Sequence, residues 1–293
     1  MLVVLSSCVN TAEDKQINML TDNAAATTQK KSETYSGLDP LPKVEFKADD
    51  PSNRRRLPEK KIAHAYGVAK NEKPHQISIE SQAFFENQNY FAVTYDSAST
   101  EKSLYLTFDC GYENGNTAKI LDVLKEKNIK AAFFCTLDEI KSEPELIARM
   151  IKEGHIVGNH SATHPSFAEI SRDKMASEVE EFENYLRQYY GYSSSYFRFP
   201  KGEYNESALE LLGSLGYVSV FWSVAYADWD TKNQKGADYA FQKVSSRLHP
   251  GAIILLHSVS EDNAQAMGRI IDHANESGYK FKTLDDLSLP YIN

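Results

Sequence analysis

His160 and His164 stand four residues apart, a spacing that one helical turn would bring onto a single face. Two imidazoles converging there suit a divalent metal such as Zn²⁺, which would activate a water and polarise a carbonyl. Taken alone, such a pair is more commonly two surface or hydrogen-bonding histidines. Asp109 closes the apolar run Leu104-Tyr105-Leu106-Thr107-Phe108. A carboxylate at such a place is costly unless it has a partner or a task. His257 closes Ala252-Ile253-Ile254-Leu255-Leu256, and a protonated imidazole is suited to giving up a proton near neutral pH. Arg198 interrupts a short aromatic run, and Asp228 precedes Trp229 in a polar stretch. A metal between two imidazoles could lower the pKa of a bound water and polarise an amide carbonyl.

Such groups act only if separate elements deliver them to one place. From Ser103 onward, short β-favouring apolar runs alternate with segments of helical spacing. Strands are predicted at 104–108, 131–135, 155–158, 196–199, 218–222, 252–257 and 279–283. Helices are predicted at 117–127, 144–153, 173–190, 207–215, 237–248 and 264–277. This alternation is α/β and implies a mostly parallel sheet covered by helices, with about seven repeats closing into a barrel. In such folds reactive side chains collect at the carboxyl ends of the strands. Asp109, His160, Arg198, Asp228 and His257 all fall at those ends.

The chain has 293 residues, with 32 Lys plus Arg against 41 Asp plus Glu, a net charge of −9. An acidic chain without a basic stripe argues against nucleic acid and against electrostatic docking on anionic lipid. Three cysteines are too few for a disulfide framework. Cys135 reads as a core thiol and His249 as a turn residue. His64, His75 and His273 read as surface, and Arg54-Arg55-Arg56 as a solvated patch. Gly111, Gly115 and Gly202 lack any nucleotide fingerprint around them.

Thr107-Phe108-Asp109-Cys110-Gly111 resembles the first motif of the polysaccharide deacetylases, usually Thr-Phe-Asp-Asp-Gly. His160-Ser161-Ala162-Thr163-His164 resembles the second motif, and Arg198-Phe199-Pro200-Lys201-Gly202 the third. Asp228-Trp229 and Leu255-Leu256-His257 resemble the fourth and fifth. The resemblance, to the NodB homology family (carbohydrate esterase family 4), covers about residues 103–287. Residues 109–115, Gly236 and His249-Pro250-Gly251-Ala252-Ile253 look most like its δ-lactam-forming branch, which deacetylates muramic acid in the spore cortex.

The resemblance implies a NodB-type distorted (β/α) barrel and one divalent metal ion, Zn²⁺ by expectation, on His160 and His164. It makes Asp109 the general base with Arg198 as its charge partner, and His257 the general acid held by Asp228. The backbone N–H of Lys201 would help hold the oxyanion, with Trp229 and Tyr112 on the substrate side. It also implies, as partner, peptidoglycan strands whose stem peptides are removed, and an extracytoplasmic, monomeric enzyme of the forespore envelope. A GlcNAc or chitooligosaccharide deacetylase, or a catalytically weak glycan-binding protein, are the rival readings. Cys110 departs from the pattern, because many members carry a metal-ligating Asp there. It is expected as a thiolate ligand, as a bystander beside two histidines and water, or as a partner of Cys135.

Residues 1–8 are expected to be the remnant of a lipoprotein signal. Leu5-Ser6-Ser7-Cys8 resembles a lipobox, which would tether the protein to a membrane through Cys8 once an upstream start is allowed for. Residues 9–60 carry four prolines without sustained periodicity and read as a flexible tether. Residues 61–102 read as an extension packing on the outside of the barrel, and 103–293 as the catalytic domain.

Overall fold

Runs that are apolar on both faces make buried parallel strands, and the amphipathic segments between them make the helices that cover those strands. The computed structural model describes residues 34–288. Cys8, the expected signal remnant 1–8 and the first part of the tether lie outside the described residues. In chain order the strands are β1 (Ile62–Ala63), β2 (Ala92–Val93), β3 (Ser103–Cys110), β4 (Ala132–Cys135), β5 (Ile156–Asn159), β6 (Tyr196–Phe197), β7 (Glu203–Tyr204), β8 (Val218–Val220), β9 (Ala252–His257) and β10 (Lys280–Lys282). The helices are α1 (Gln76–Gln88), α2 (Thr117–Glu126), α3 (Leu137–Ser142), α4 (Pro144–Lys152), α5 (Arg172–Tyr190), α6 (Glu206–Ser214), α7 (Ala237–Ser245) and α8 (Glu261–Glu276). Side-chain caps start several of them: Thr136, Ser171, Asn205 and Ser260 each accept a backbone N–H of the first turn. Among the described residues no helix is long and apolar enough to cross a membrane.

The seven strands expected from the sequence are present and parallel, and β2 joins them as an eighth beside β8. The sheet runs β10-β3-β4-β5-β6-β8-β2, with β9 also paired to β3. Past β8, Val224 bridges Ile254 of β9 in parallel sense, and Ser223 N–H and Leu255 N–H complete that seam. The sheet therefore curls back on itself as a distorted (β/α) barrel. Side chains alternate along β3. Leu104, Leu106, Phe108 and Cys110 enter the cluster that includes the helices α2 and α8. Tyr105 enters a second cluster with Phe134, Phe197, Phe221 and Ile253, on the face that Asp109 shares by register.

The tether reading of 9–60 does not describe residues 34–60. Tyr35 N–H and Leu41 N–H donate to the carbonyls of Tyr189 and Arg187. Asn184 exchanges two bonds with the Val44 backbone, at 2.8 and 2.9 Å, and Phe46 N–H donates to Glu180 Oε2 at 2.6 Å. The segment thus runs along α5, satisfying its backbone on that helix's side chains and last carbonyls. Arg55 is likewise no free cation: it pairs with Asp49, Asp50 and Glu210. In the 61–102 extension, Phe85 of α1 is fully buried and stacks on Phe221 at 5.2 Å.

Gly251 has φ +76° and sits where a Cβ would lie 2.2 Å from the Asp96 carbonyl oxygen. Asp96 N–H donates to Gly251 O, and Gly251 N–H to Ser103 O, each at 2.8 Å. Gly251→Ala therefore combines a left-handed backbone with a steric clash, and should destabilise the fold by about 2 kcal/mol or more. A lowered urea midpoint with unchanged slope checks this. An unchanged midpoint would show that the Asp96 turn yields freely.

Candidate active site

Asp109 and His257 are Cα partners at the ends of β3 and β9. His160 follows β5 and Arg198 follows β6; their backbones are tied by His160 N–H to Cys135 O and Arg198 N–H to Asn159 O, both 3.0 Å. The barrel's carboxyl end thus gathers side chains from four strands: Asp109, His160 and His257 line one cleft of about 900 Å³, and Arg198 lies buried behind Asp109.

Arg198 is completely buried. Its Nη1 donates to Asp109 Oδ1 at 2.9 Å, Nε to Val220 O at 2.9 Å and Nη2 to Phe221 O at 3.3 Å. The guanidinium also lies over the Phe134 ring, 4.2 Å from its centroid. A buried carboxyl would by burial alone be pushed up. The Arg198 charge, with His160 and His257, more than offsets this and holds Asp109 below the ordinary carboxylate range. Asp109 is therefore ionised and acceptor-only, with Oδ2 turned toward His160 Nε2 at 3.6 Å.

His160 Nδ1 donates to the Arg198 carbonyl at 2.7 Å, which fixes the tautomer and leaves the Nε2 lone pair facing the cleft. The His164 ring lies 4.9 Å away, centroid to centroid. Burial pushes both imidazoles down, His164 to about 4, so both are neutral. Neutral, carbonyl-oriented imidazoles beside a carboxylate are a donor set that fits a divalent metal. Among the described residues no three such side chains form a ready ligand group, so the chain offers two histidines with Asp109 nearby. The pair is not carried by a helical turn. Residues 160–165 form a loop, closed by Ser161 N–H to Asn159 Oδ1 and His164 N–H to Ser161 Oγ, both 2.9 Å. Ser161 and His164 hold φ of +70° and +56°, strain of the kind stored at working sites.

Across the cleft, His257 Nδ1 donates to Asp228 Oδ1 at 2.7 Å. Asp228 Oδ2 accepts from His257 N–H at 2.8 Å and from Asn263 Nδ2 at 2.6 Å. Burial pushes the imidazole down, but the Asp228 bond and charge, helped by Asp109, raise it above its ordinary value. The Trp229 ring stands 6.0 Å from that of His257, and exposed Tyr112 lines the cleft with Lys201. Lys201 has φ +60° inside the turn Pro200–Gly202.

Residues 96–220 match the polysaccharide deacetylase family. The chain is 40% identical over 232 residues to the peptidoglycan-N-acetylmuramic acid deacetylase PdaA of Bacillus subtilis, covering 79% of this chain and 87% of that one. This chain belongs to the polysaccharide deacetylase family. A solved structure of PdaA, described as a family 4 carbohydrate esterase, superposes with a TM-score of 0.75 at 40% identity, over 79% of this chain and 98% of that chain. A peptidoglycan-N-acetylglucosamine deacetylase of Bacillus cereus is 31% identical over 201 residues, 67% of this chain and 72% of the relative. The deacetylase is accordingly a hydrolase of N-acetyl amide bonds.

In this deacetylase Cys110 is not among the residues that line the cleft, so of its three expected roles the thiolate ligand does not fit its placement. β3 continues through residue 110, so alternation turns Cys110 to the side opposite Asp109, where it is buried among Phe108, Phe133 and Leu137. It lies in register with Cys135 on β4, and both are free thiols. The bystander reading fits that placement.

Sequence reasoning missed several participants. Asn263, capped into the first turn of α8 by Ser260, braces Asp228, and nothing in its neighbourhood marks it. Tyr66, expected on the barrel's outside, lines the cleft. His64 is not a surface histidine. It packs 4.7 Å from Phe221 and donates from Nε2 to Trp222 O at 2.8 Å, and burial pushes it down to about 4. His249 bonds Ser223 Oγ at 2.9 Å inside the fold.

Proposed function

We propose that the deacetylase removes the N-acetyl group of N-acetylmuramic acid in peptidoglycan whose stem peptides have already been cleaved. The observation that carries this is the opposition of two differently tuned groups across one cleft, Asp109 held ionised by Arg198 and His257 held protonatable by Asp228. The 40% identity to PdaA supports the choice of sugar.

His160 and His164 would hold a divalent metal, which when bound supplies Lewis-acid polarisation of the amide carbonyl and a more acidic water. Asp109 accepts the proton of the attacking water, and Arg198 keeps its carboxylate aimed and charged. The water oxygen bonds to the acetyl carbon, and the backbone N–H of Lys201 donates to the developing oxyanion. His257 protonates the sugar nitrogen as the C–N bond breaks, so that acetate and a free amine leave. Asp228, braced by Asn263, keeps the imidazole in the tautomer and charge state this requires. On a peptide-free muramic acid the amine can then attack the lactyl carboxyl, forming the C–N bond of the δ-lactam of a spore cortex as the carboxyl C–O bond breaks and water leaves. Such a substrate places the enzyme in the cell envelope.

Mass spectrometry of defined cell-wall fragments should show one acetyl lost per peptide-free muramic acid. The loss should stop with chelator and return with added Zn²⁺. Acetate released from GlcNAc oligomers while muramic acid stays acetylated would sink the reading and favour a glucosamine deacetylase.

Asp228→Asn keeps the shape but removes the charge that raises His257. Because His257 must be protonated, activity falls as pH rises through its pKa. The alkaline limb of the kcat/KM profile should therefore move to lower pH, with activity at pH 8 down on the order of tenfold or more. An unmoved limb would remove Asp228 from this role.

A further inference from the structure

Beyond Tyr66 and Tyr226, which line the catalytic cleft, the same two rings wall a second groove of about 300 Å³. Its other side is α7 and the residues just past it. Tyr239, Lys243 and Arg247 recur every four residues and present one stripe to the groove. Lys243 Nζ and Lys235 Nζ lie 4.9 and 5.0 Å from the centroid of the Tyr239 ring, one ammonium on each contact. Arg247 Nη1 donates to the Ala225 carbonyl and has further N–H groups beyond that bond.

The three cations have no carboxylate partner among the described residues. For an arginine this sets Arg247 apart from Arg149, Arg172, Arg187 and Arg198, which are all paired with carboxylates. Of the three, Lys243 and Arg247 line the groove while Lys235 is exposed beside it, and an anion held in the groove would be attracted by both lining cations. The two rings shared with the cleft make the groove a continuation of the path a glycan would follow. Tyr226 also ties it to the proton donor, because its hydroxyl donates to Asn263 Oδ1 at 2.5 Å and Asn263 holds Asp228.

We propose that this groove is an anionic subsite that takes the free lactyl carboxylate of a muramic acid residue on the bound glycan, through Lys243 and Arg247. The proposal rests on the substrate class proposed above. It gives a physical reason for preferring stripped strands: the lactyl group is a carboxylate only when no peptide is attached, and a neutral amide otherwise. Tyr66 and Tyr239 give the sugar faces an amphipathic wall, and Lys243 and Arg247 give the carboxylate its donors.

The test compares three glycans of equal length: peptide-free muramic acid oligomers, the same oligomers with each lactyl carboxyl converted to the primary amide, and peptide-bearing oligomers. Binding is read by tryptophan fluorescence, since Trp229 borders the cleft, and turnover by the freed amine. The wild-type protein should bind the acid form about tenfold tighter than the amide, the scale of one charge-assisted hydrogen bond. Peptide-bearing oligomers should bind no better than the amide. Lys243→Gln and Arg247→Gln should each lose most of that preference, leave affinity for the amide unchanged, and raise KM rather than lower kcat. Arg247→Lys should keep the preference. Lys243→Gln, whose side chain makes only a ring contact, keeps the test open if Arg247→Gln fails to fold. Equal wild-type affinity for acid and amide, or a preference undiminished in both glutamine variants, overturns the subsite. Preferential binding without any freed amine would leave the subsite standing and sink the deacetylation reading instead.

Discussion

Asp109→Asn and His257→Ala should each lower kcat by at least about 100-fold while the protein stays folded. The Asn amide oxygen can still accept from Arg198 Nη1, so the change removes a proton acceptor more than a contact. His257 is partly exposed at the cleft, and after its loss the buried Asp228 keeps the backbone N–H of residue 257 and Asn263 Nδ2 as donors. Far-UV circular dichroism should therefore be unchanged while turnover collapses. The wild-type pH profile should be bell-shaped. Its acid limb lies below the ordinary carboxylate range, because Asp109 is held down, and its alkaline limb lies above the ordinary imidazole value, because His257 is held up. Near-wild-type turnover in either variant would remove that residue from the proton path.

Arg198→Met should cost both activity and stability. The guanidinium is completely buried, and its removal leaves Asp109 charged without a partner and the Val220 and Phe221 carbonyls without their donors. Losing one member of a buried pair costs about 3–5 kcal/mol. The sign with pH is a second check. In the wild type Asp109 has a depressed pKa, so its contribution is present above the ordinary carboxylate value and lost as pH falls through the lowered one. In the variant, burial unopposed by Arg198 pushes the carboxyl up. Its penalty is then felt above the ordinary value and relieved as acid protonates it. Urea midpoints at pH 7 and pH 4 should show the deficit shrinking at pH 4. A deficit equal at both would mean that lost packing, not charge, explains it.

The barrel could be read from the chain because its strands are short apolar runs separated by amphipathic helices. Asp109, Arg198 and His257 could be read because a charge interrupting such a run has few places to go. Cys110 was harder for the same reason. With β3 apolar on both faces, nothing in its pattern says which parity points inward, and only the register with β4 and β9 decides it. The His160–His164 turn was misjudged because two non-glycine residues hold positive φ there, which residue type does not announce. The arm from residue 34 has no period because it is ordered by bonds to α5 some 130–150 positions away, and no local signal encodes those partners. Asn263 and His64 belong to the same class, since their partners meet only after folding.

The Asp109–Arg198 pair also constrains what this lineage can become. A descendant freed from selection for catalysis cannot shed the carboxylate by a single drift to a hydrophobic residue, because that step strands a buried cation at the barrel's centre. The tolerated routes begin with Asn, which keeps an acceptor, or pass through Arg198 and Asp109 changing together. His257 is partly open to the cleft, and its loss leaves the buried Asp228 with the donors of residue 257's backbone N–H and Asn263, so the veto there is weaker. If the scaffold were repurposed as a binder, His257 is where decay would start and Arg198 is the residue that would outlast the chemistry.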